Sequence, residues 1–396
     1  MKYLIVLGDG MADVPLAELG GKTPLEAANI PNMDFIAKNG ASGMAKTIPD
    51  GMNPGSDVAS LSVLGYNPAE VYTGRAPLEA ASIGVNLSPN DTALRCNLVT
   101  IADGKMDDYS AGHIGTDEAS ILINDINSKL SDSTTSFYPG KSYRHLMVSK
   151  RKFNGVKLVP PHDISGQAVA GYMPGGDGSD ELKLIMEKAS KILKEHDVNR
   201  KRMARGDKPA TDIWLWGEGT RPAVSPFREK YGLDGAVISA VDLVNGIGIY
   251  LGFEVVNVPG ATGYIDTNYE GKAENALKAL KKVDIVYLHI EAPDETGHNG
   301  DLKNKIKSME DIDLKVLKKI IAEMPQFGEY RILVMSDHPT PVKLRTHTSD
   351  PVNFAIYGTG VKSNGASAFS EKEALNTKFF FSDGYKLMGY FLGKKG

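Results

Sequence analysis

The stretch Ile285-Val-Tyr-Leu-His-Ile290, followed at once by Asp294-Glu-Thr-Gly-His298, decides the fold. A nearly continuous apolar run of six residues is too uniform for a strand with one wet face. It predicts a strand covered on both faces, as in a parallel α/β sheet. The acidic and histidine residues come directly after it. In open α/β sheets ligands bind beyond the carboxyl ends of the strands, so this is where chemistry is expected.

Two other stretches repeat the arrangement. Lys2–Leu7 is a short apolar strand leading into Gly8-Asp9-Gly10, and Tyr330–Met335 leads into Asp337-His338. A third histidine, His347, follows shortly before the strand expected at 354–357. The chain has eight histidines, and three of them stand here among carboxylates. Mixed Asp/His donors suit Zn²⁺ or Mn²⁺, ions that commonly drive phosphoryl chemistry. The four-residue spacing of Asp294 and His298 lets both reach one ion if the segment is helical. Asp337 and His338 are adjacent, so a bend after the strand is needed for both to do so. His289, inside its strand, reads as a packed or supporting residue. Asp9 alone could equally cap a turn.

Outward from these strands, the pattern from Thr211 onward alternates strand and helix. Strands are predicted at 212–216, 236–240 and 253–258, and helices at 241–251, 271–282 and 302–323. The N-terminal strand joins the same sheet. Between about 82 and 209 the texture changes to short strands, two long helical stretches and Gly/Pro-rich loops such as Gly171–Gly178. This predicts a discontinuous core, 1–84 and 210–396, carrying an inserted domain at 85–209 of mixed α+β type. The linkers near Gly84 and Pro209 would then serve as hinges.

Ser56 opens a helix of small residues after Asn53-Pro-Gly55. Its local sequence reads first as an ordinary N-cap. A hydroxyl at a positive helix end could also accept a phosphoryl group. Gly21-Lys22-Thr23 mimics the end of a phosphate-binding loop, but Leu16 stands where that loop needs glycine. No dinucleotide fingerprint, nucleophile-elbow serine or sulfatase-type signature is present.

A net charge of −4 gives no basic stripe for nucleic acid. Cys96 is the only cysteine, so neither an intrachain disulfide nor a multi-thiolate zinc site can form, which fits a reducing cytoplasm. No run of eighteen apolar residues exists, so no membrane span is expected.

The motifs together resemble the archaeal-type cofactor-independent phosphoglycerate mutases, within the alkaline phosphatase superfamily, over essentially the whole chain. They are Leu7–Asp13, Asn53–Ser60, Leu64–Pro68, Tyr72–Pro77, Tyr143-Arg-His145, Ile238–Leu243, Pro259–Gly263, Asp294-x-x-x-His298, Asp337-His338 and His347–Pro351. The resemblance implies an alkaline-phosphatase-like core with a mixed, mostly parallel sheet covered by helices on both faces. It implies interconversion of 3-phosphoglycerate and 2-phosphoglycerate through a phosphoserine at Ser56, with two divalent ions (Mn²⁺ or Zn²⁺) and no 2,3-bisphosphoglycerate. Asp9, Ser56, Asp337 and His338 would hold one ion, and Asp294, His298 and His347 the other. The inserted domain would hold the substrate and close over it. Arg144, His145, His162, Asp163, Arg200 and Arg202 are the candidates there, with Arg95 and His113 weaker. The arginines could instead form a solvated basic turn. Other family-like outcomes are transfer to another acceptor, as in a homoserine kinase, or plain phosphomonoester hydrolysis. A mutase needs cations for a carboxylate and a phosphate, whereas an amino-acid acceptor needs an acid such as Asp163 for its ammonium.

Overall fold

The apolar runs at 2–8, 285–290 and 330–335 become three adjacent parallel strands, and everything else in their unit is arranged around them. A computed structural model describes residues 1–153 and 155–394. The strands are β1 (Lys2–Gly8), β2 (Ala41–Ala45), β3 (Thr92–Ala102), β4 (Lys105–Asp108), β5 (Thr135–Tyr138), β6 (Arg144–Ser149), β7 (Asp212–Thr220), β8 (Gly235–Ile238), β9 (Glu254–Val255), β10 (Ile285–Ile290), β11 (Tyr330–Met335), β12 (Val352–Gly358) and β13 (Phe380–Phe381). The chain divides into two compact units, Met1–Tyr72 with Ala223–Gly396, and Thr73–Pro222.

The first unit holds an eight-stranded sheet in the order β13-β2-β12-β11-β1-β10-β8-β9. β1 pairs in parallel with β10 and β11, and only the contacts of β12 are antiparallel. Both faces are covered. Leu4, Val6, Val286, Leu288, Ile332 and Val334 pack against the Pro31–Asn39 and Tyr269–Leu280 helices and the helical run from Leu302. On the other face Tyr287 reaches Ser60 of the Ser56–Val63 helix, and Tyr3 stacks edgewise on Phe391. Each such fully buried aliphatic side chain contributes about 1.5–3 kcal/mol. The predicted 302–323 helix is interrupted by a wide π turn at Ile312–Leu317. There Asp313 accepts the backbone N–H of Met33, near the start of the Pro31 helix.

The second unit is an antiparallel sheet, β4-β3-β6-β5 with β7 also on β3, backed by the Thr116–Leu130 and Ser179–Lys194 helices. Leu94, Cys96 and Leu98 face that helical side. Two expectations need correction. β7, expected in the large sheet, pairs instead with β3 from Thr92 to Val99. The Ala76–Ser82 helix, which falls within the 1–84 segment assigned to the core, packs Ala76 and Ala80 on Ala93 and Leu146 of the second sheet. The unit boundaries therefore lie at 72/73 and 222/223 rather than 84/85 and 209/210. The predicted 253–258 strand shrinks to the two-residue edge strand β9. Among the described residues no helix is long and apolar enough to cross a membrane.

Candidate active site

The register of the central strands explains why three carboxylates meet. Leu7 lies opposite His289 on one side and Met335 on the other. Two positions further along each chain stand Asp9, Glu291 and Asp337. Because side chains on a strand repeat every second residue, equal offsets from a matched rung bring all three to one edge of the sheet. Gly10 completes the turn at φ 61°. Its N–H donates to Asp337 Oδ1 at 3.1 Å, and a Cβ there would sit 2.6 Å from Asp294 Oδ1, so only glycine fits.

Around Asp9 the residues converge. Ser56 Oγ lies 3.1 Å from Asp9 Oδ2 and 3.2 Å from His338 Nε2. His338 Nε2 is 3.4 Å from Asp9 Oδ1 and 3.3 Å from Asp337 Oδ2. The bend needed for Asp337 and His338 is present: Asp337 Oδ1 accepts the His338 N–H at 2.9 Å. The N-cap reading of Ser56 is not what the structure shows. Gly55 takes the N-cap position without a side-chain bond, and Ser56 is the first helical residue. Its hydroxyl is thereby released to face Asp9 and His338.

Beside this group lies a second. Asp294 and His298 share a face of the Ala292–His298 helix, with His298 Nε2 3.2 Å from Asp294 Oδ2. His347 Nε2 is 3.3 Å from Asp294 Oδ1 and 2.8 Å from His298 Nε2. The rings of His338 and His347 are 4.0 Å apart, and Thr340 Oγ1 bonds both Asp294 and His338 Nδ1.

Asp9 with Asp337 and His338, and Asp294 with His298 and His347, are each grouped closely enough to hold a metal ion. The local chemistry fits a cation in two ways. First, Asp9 Oδ1, Asp337 Oδ2 and Glu291 Oε2 are buried oxygens with no hydrogen-bond partner. Such atoms are costly unless something positive meets them. Second, His298 Nδ1 faces the Arg345 carbonyl at 3.1 Å and His347 Nδ1 faces the Pro54 carbonyl at 3.2 Å. A carbonyl only accepts, so both Nδ1 atoms carry the proton. Both Nε2 atoms then turn toward Asp294 and toward each other, so that either a proton or a cation must lie between them.

Electrostatics agree. Burial and the neighbouring Asp337, Asp294 and Glu291 push the Asp9 carboxyl well above its ordinary range. Burial and Asp294 raise Glu291 to about 8. Burial would also raise Asp294, but its bonds to His298 and His347 outweigh that and hold it well below the usual range. The same bond to Asp294 lifts His298 to about 9.

Behind the ligating edge, His289 is fully buried, with Nε2 3.0 Å from Asp9 Oδ2 and Nδ1 3.1 Å from Ser239 Oγ. It holds Asp9 through the same oxygen that meets Ser56. Glu291 belongs to the same acidic edge and was missed by the sequence reading; its offset from His289, equal to that of Asp9 from Leu7, was the available signal. Lys305, also fully buried, donates to Asp13 Oδ2 at 3.0 Å and to the Thr340 carbonyl at 2.7 Å. It ties the loop after β1 to the loop after β11.

In the second unit the candidate substrate residues separate into distinct places. The Arg144 guanidinium lies over the Tyr143 ring at 4.6 Å. Tyr143 leads through Tyr109 to His162, and His162 to Trp216 at 5.4 Å, over whose ring Arg95 sits at 4.0 Å. Asp163 is exposed beside His162. Partial loss of water around this half-exposed ring, with the charges of Arg95, Arg75 and Arg144, outweighs the pull of Asp163 and lowers the His162 imidazole below its ordinary range. Arg75, overlooked as a candidate, adds its charge to this cluster, as does Trp216 its ring. His145 alternates away from Arg144 on β6. It is buried, accepts from the Gly140 N–H through Nδ1, and is held neutral down to about 3 by burial. Arg202 is buried and spends its guanidinium on Glu118 and the carbonyls of Lys208 and Ala111. Arg200 is exposed and pairs with Asp197 on its own helix. His113 is exposed, in left-handed backbone.

Comparison with known proteins places this geometry. Residues 37–199 match the family model of 2,3-bisphosphoglycerate-independent phosphoglycerate mutase. A protein of that description from Methanosarcina barkeri is 52% identical over 377 residues, covering 94% of this chain and 95% of its own. Among solved structures, a Pyrococcus horikoshii protein superposes with TM-score 0.83 at 30% identity, covering 100% of this chain and 98% of its own. The cofactor-independent phosphoglycerate mutase of Thermoplasma acidophilum does so with TM-score 0.68 at 27% identity, covering 99% of both. With half of its residues shared along nearly its whole length, the chain belongs to the 2,3-bisphosphoglycerate-independent phosphoglycerate mutases of the archaeal type.

Proposed function

We propose that this enzyme interconverts 3-phosphoglycerate and 2-phosphoglycerate by passing the phosphoryl group through Ser56. One observation carries the reading: a hydroxyl at the first position of a helix, within 3.1 Å of Asp9 and 3.2 Å of His338, beside two carboxylate–imidazole groups suited to cations. Asp9, Ser56, Asp337 and His338 would hold one divalent ion and Asp294, His298 and His347 a second. When bound, Mn²⁺ or Zn²⁺ at these positions would supply Lewis acidity, favouring the ionised hydroxyl and offsetting phosphoryl charge.

The residues themselves do the rest. Asp9 Oδ2 accepts the Ser56 hydroxyl proton's hydrogen bond, so the proton has an acceptor at hand as Oγ attacks phosphorus. His289 fixes that carboxylate against rotation. The free N–H groups of the Ser56–Val63 helix and its dipole favour the negative charge that the phosphoserine brings. The glycerate left behind presents its other hydroxyl and takes the phosphoryl group back. That return requires water to be kept out, or the reaction ends as hydrolysis. In the second unit Arg144, over the Tyr143 ring, offers a cation for the substrate carboxylate, whereas Arg95 and Arg75 both pair with Glu79. Arg202 is committed elsewhere.

The test is a coupled assay with 3-phosphoglycerate, with and without added Mn²⁺, beside ATP plus homoserine, together with mass spectrometry of acid-quenched protein. Metal-dependent formation of 2-phosphoglycerate with phosphate on Ser56 is expected. Metal-loaded protein that leaves 3-phosphoglycerate unchanged, or that phosphorylates homoserine instead, would sink the reading.

A further inference from the structure

The opposite end of the central strands carries a cavity of about 840 Å³ that the proposed reaction does not use. Arg331, at the start of β11, lines it, whereas Asp337 stands beyond the other end of that strand. At roughly 3.3 Å per residue the two are about 20 Å apart. The size is within the usual range for small-molecule sites.

Its lining has one sign of charge. Lys230, Arg331, Lys386 and Lys394 contribute, and among the described residues no carboxylate does. Lys386 is neutralised by Asp383 at 2.8 Å. The other three are held by uncharged groups. Lys230 donates to the Gly65 carbonyl at 2.6 Å and sits 4.1 Å from the Tyr66 ring. Lys394 donates to the Tyr231 carbonyl at 2.6 Å. Arg331 donates to the carbonyls of Thr359 and Phe391, each at 2.8 Å. Neutral partners fix the geometry of these cations, and Glu70, which opposes the charge of Lys230, stands outside the cavity lining. Each lysine also keeps donors in reserve. Partial burial already pulls Lys230 below the ordinary lysine range.

The remaining walls include the rings of Tyr231, Tyr385 and Tyr390, with glycines at 65, 360, 389 and 393 between them. Lys394 and Lys230 lie over the Tyr231 ring at 5.3 and 5.4 Å, and Lys386 over Tyr385 at 6.0 Å. The exposed Tyr390 ring beside bare backbone is therefore the surface left for a planar group, and the cations beside it accept an anion. We infer that this cavity is a second small-molecule site, for an anion carrying a planar ring, of the nucleoside monophosphate class. It lies in the same unit as Ser56, and its Gly65 follows the end of the Ser56–Val63 helix.

The test is calorimetric titration of the full-length, Mn²⁺-loaded protein, with saturating 3-phosphoglycerate present to occupy the phosphoryl-transfer site. The probes are AMP, adenosine and inorganic phosphate. AMP is expected to bind with one-to-one stoichiometry, at least about ten-fold tighter than either fragment, since neither satisfies both walls. Lys394→Glu and Tyr390→Ala should each weaken AMP by a similar factor while leaving 3-phosphoglycerate turnover unchanged. Absence of AMP binding at millimolar concentration overturns the inference. So does binding of adenosine or phosphate alone as tight as that of AMP, or AMP affinity unchanged in both variants.

Discussion

Two buried charged clusters in this molecule have opposite character. In the second unit Arg202 is enclosed with every direction met: Glu118, the Lys208 carbonyl and the Ala111 carbonyl. In the first unit Asp9, Glu291 and Asp337 are enclosed with one oxygen each unmet. Both clusters contain residues that looked functional in sequence. A buried charge with its partners supplied from within is part of the scaffold. Buried oxygens without a hydrogen-bond partner are costly, and a cation is the kind of partner that would relieve them.

That difference predicts opposite responses to substitution. The largest effect belongs to Ser56, which sits against the unsatisfied cluster. Ser56→Ala should reduce mutase turnover by several orders of magnitude, because the neighbouring hydroxyl of Thr340 is spent on Asp294 and His338 Nδ1. Bound Mn²⁺, measured by elemental analysis after dialysis, should be retained with weakened affinity. A variant that keeps substantial turnover would rule out the phosphoserine route.

Next comes Arg202. Arg202→Met strands two backbone carbonyls and deprives Glu118 of one partner, and should cost about 3 kcal/mol of stability in urea unfolding. Metal content and the KM for 3-phosphoglycerate should not move. A raised KM with unchanged stability would put Arg202 back among the substrate residues and undo the contrast.

The acidic edge should behave the other way. Asp337→Asn removes a buried charge whose Oδ2 has no partner, so the metal-free protein should gain about 1–2 kcal/mol. Its affinity for Mn²⁺ should fall at the same time. Gain in the apo form with loss of metal stabilisation is the signature of a ligand; a loss in both forms would make Asp337 a structural residue like Arg202.

Much of this architecture was legible. The strands ending before Asp9, Asp294 and Asp337 are uniform apolar runs, and buried parallel strands have no other way to look. What escaped was what depends on pairing. Ile213-Trp-Leu-Trp216 is apolar in either sheet, and only its register with β3 assigns it to the second unit. β2 is Ala-Ser-Gly-Met-Ala, too small and too mixed to announce a strand, yet it is buried between β12 and β13. The ligand candidates were found because Asp and His beyond a strand end are chemically conspicuous. Arg202 and Arg144 are chemically identical, and nothing local distinguishes the arginine that is enclosed from the one that stacks on a ring.

The smallest expected effect lies between the two extremes, at Glu371. It is half-buried rather than enclosed like Arg202, and accepts from the Asp13 N–H at 3.2 Å and Thr23 Oγ1 at 2.7 Å. Yet burial raises its carboxyl from 4.5 to about 7, because those bonds and the charge of Lys305 only partly offset the loss of water. Between those values the folded protein holds a proton that the unfolded chain has released. The contribution of this group to stability is therefore fully present below about pH 4.5 and is lost as pH rises through about 7. Glu371→Gln should flatten the fall in melting temperature between pH 5 and 8. The difference between the two profiles should be on the order of 1 kcal/mol, less than the full shift would give, because solvent reaches the half-buried carboxyl and screens the new charge. If the two profiles run parallel, Glu371 is already ionised in the fold, and its bonds to Asp13 and Thr23 satisfy it as completely as Glu118 and the two carbonyls satisfy Arg202.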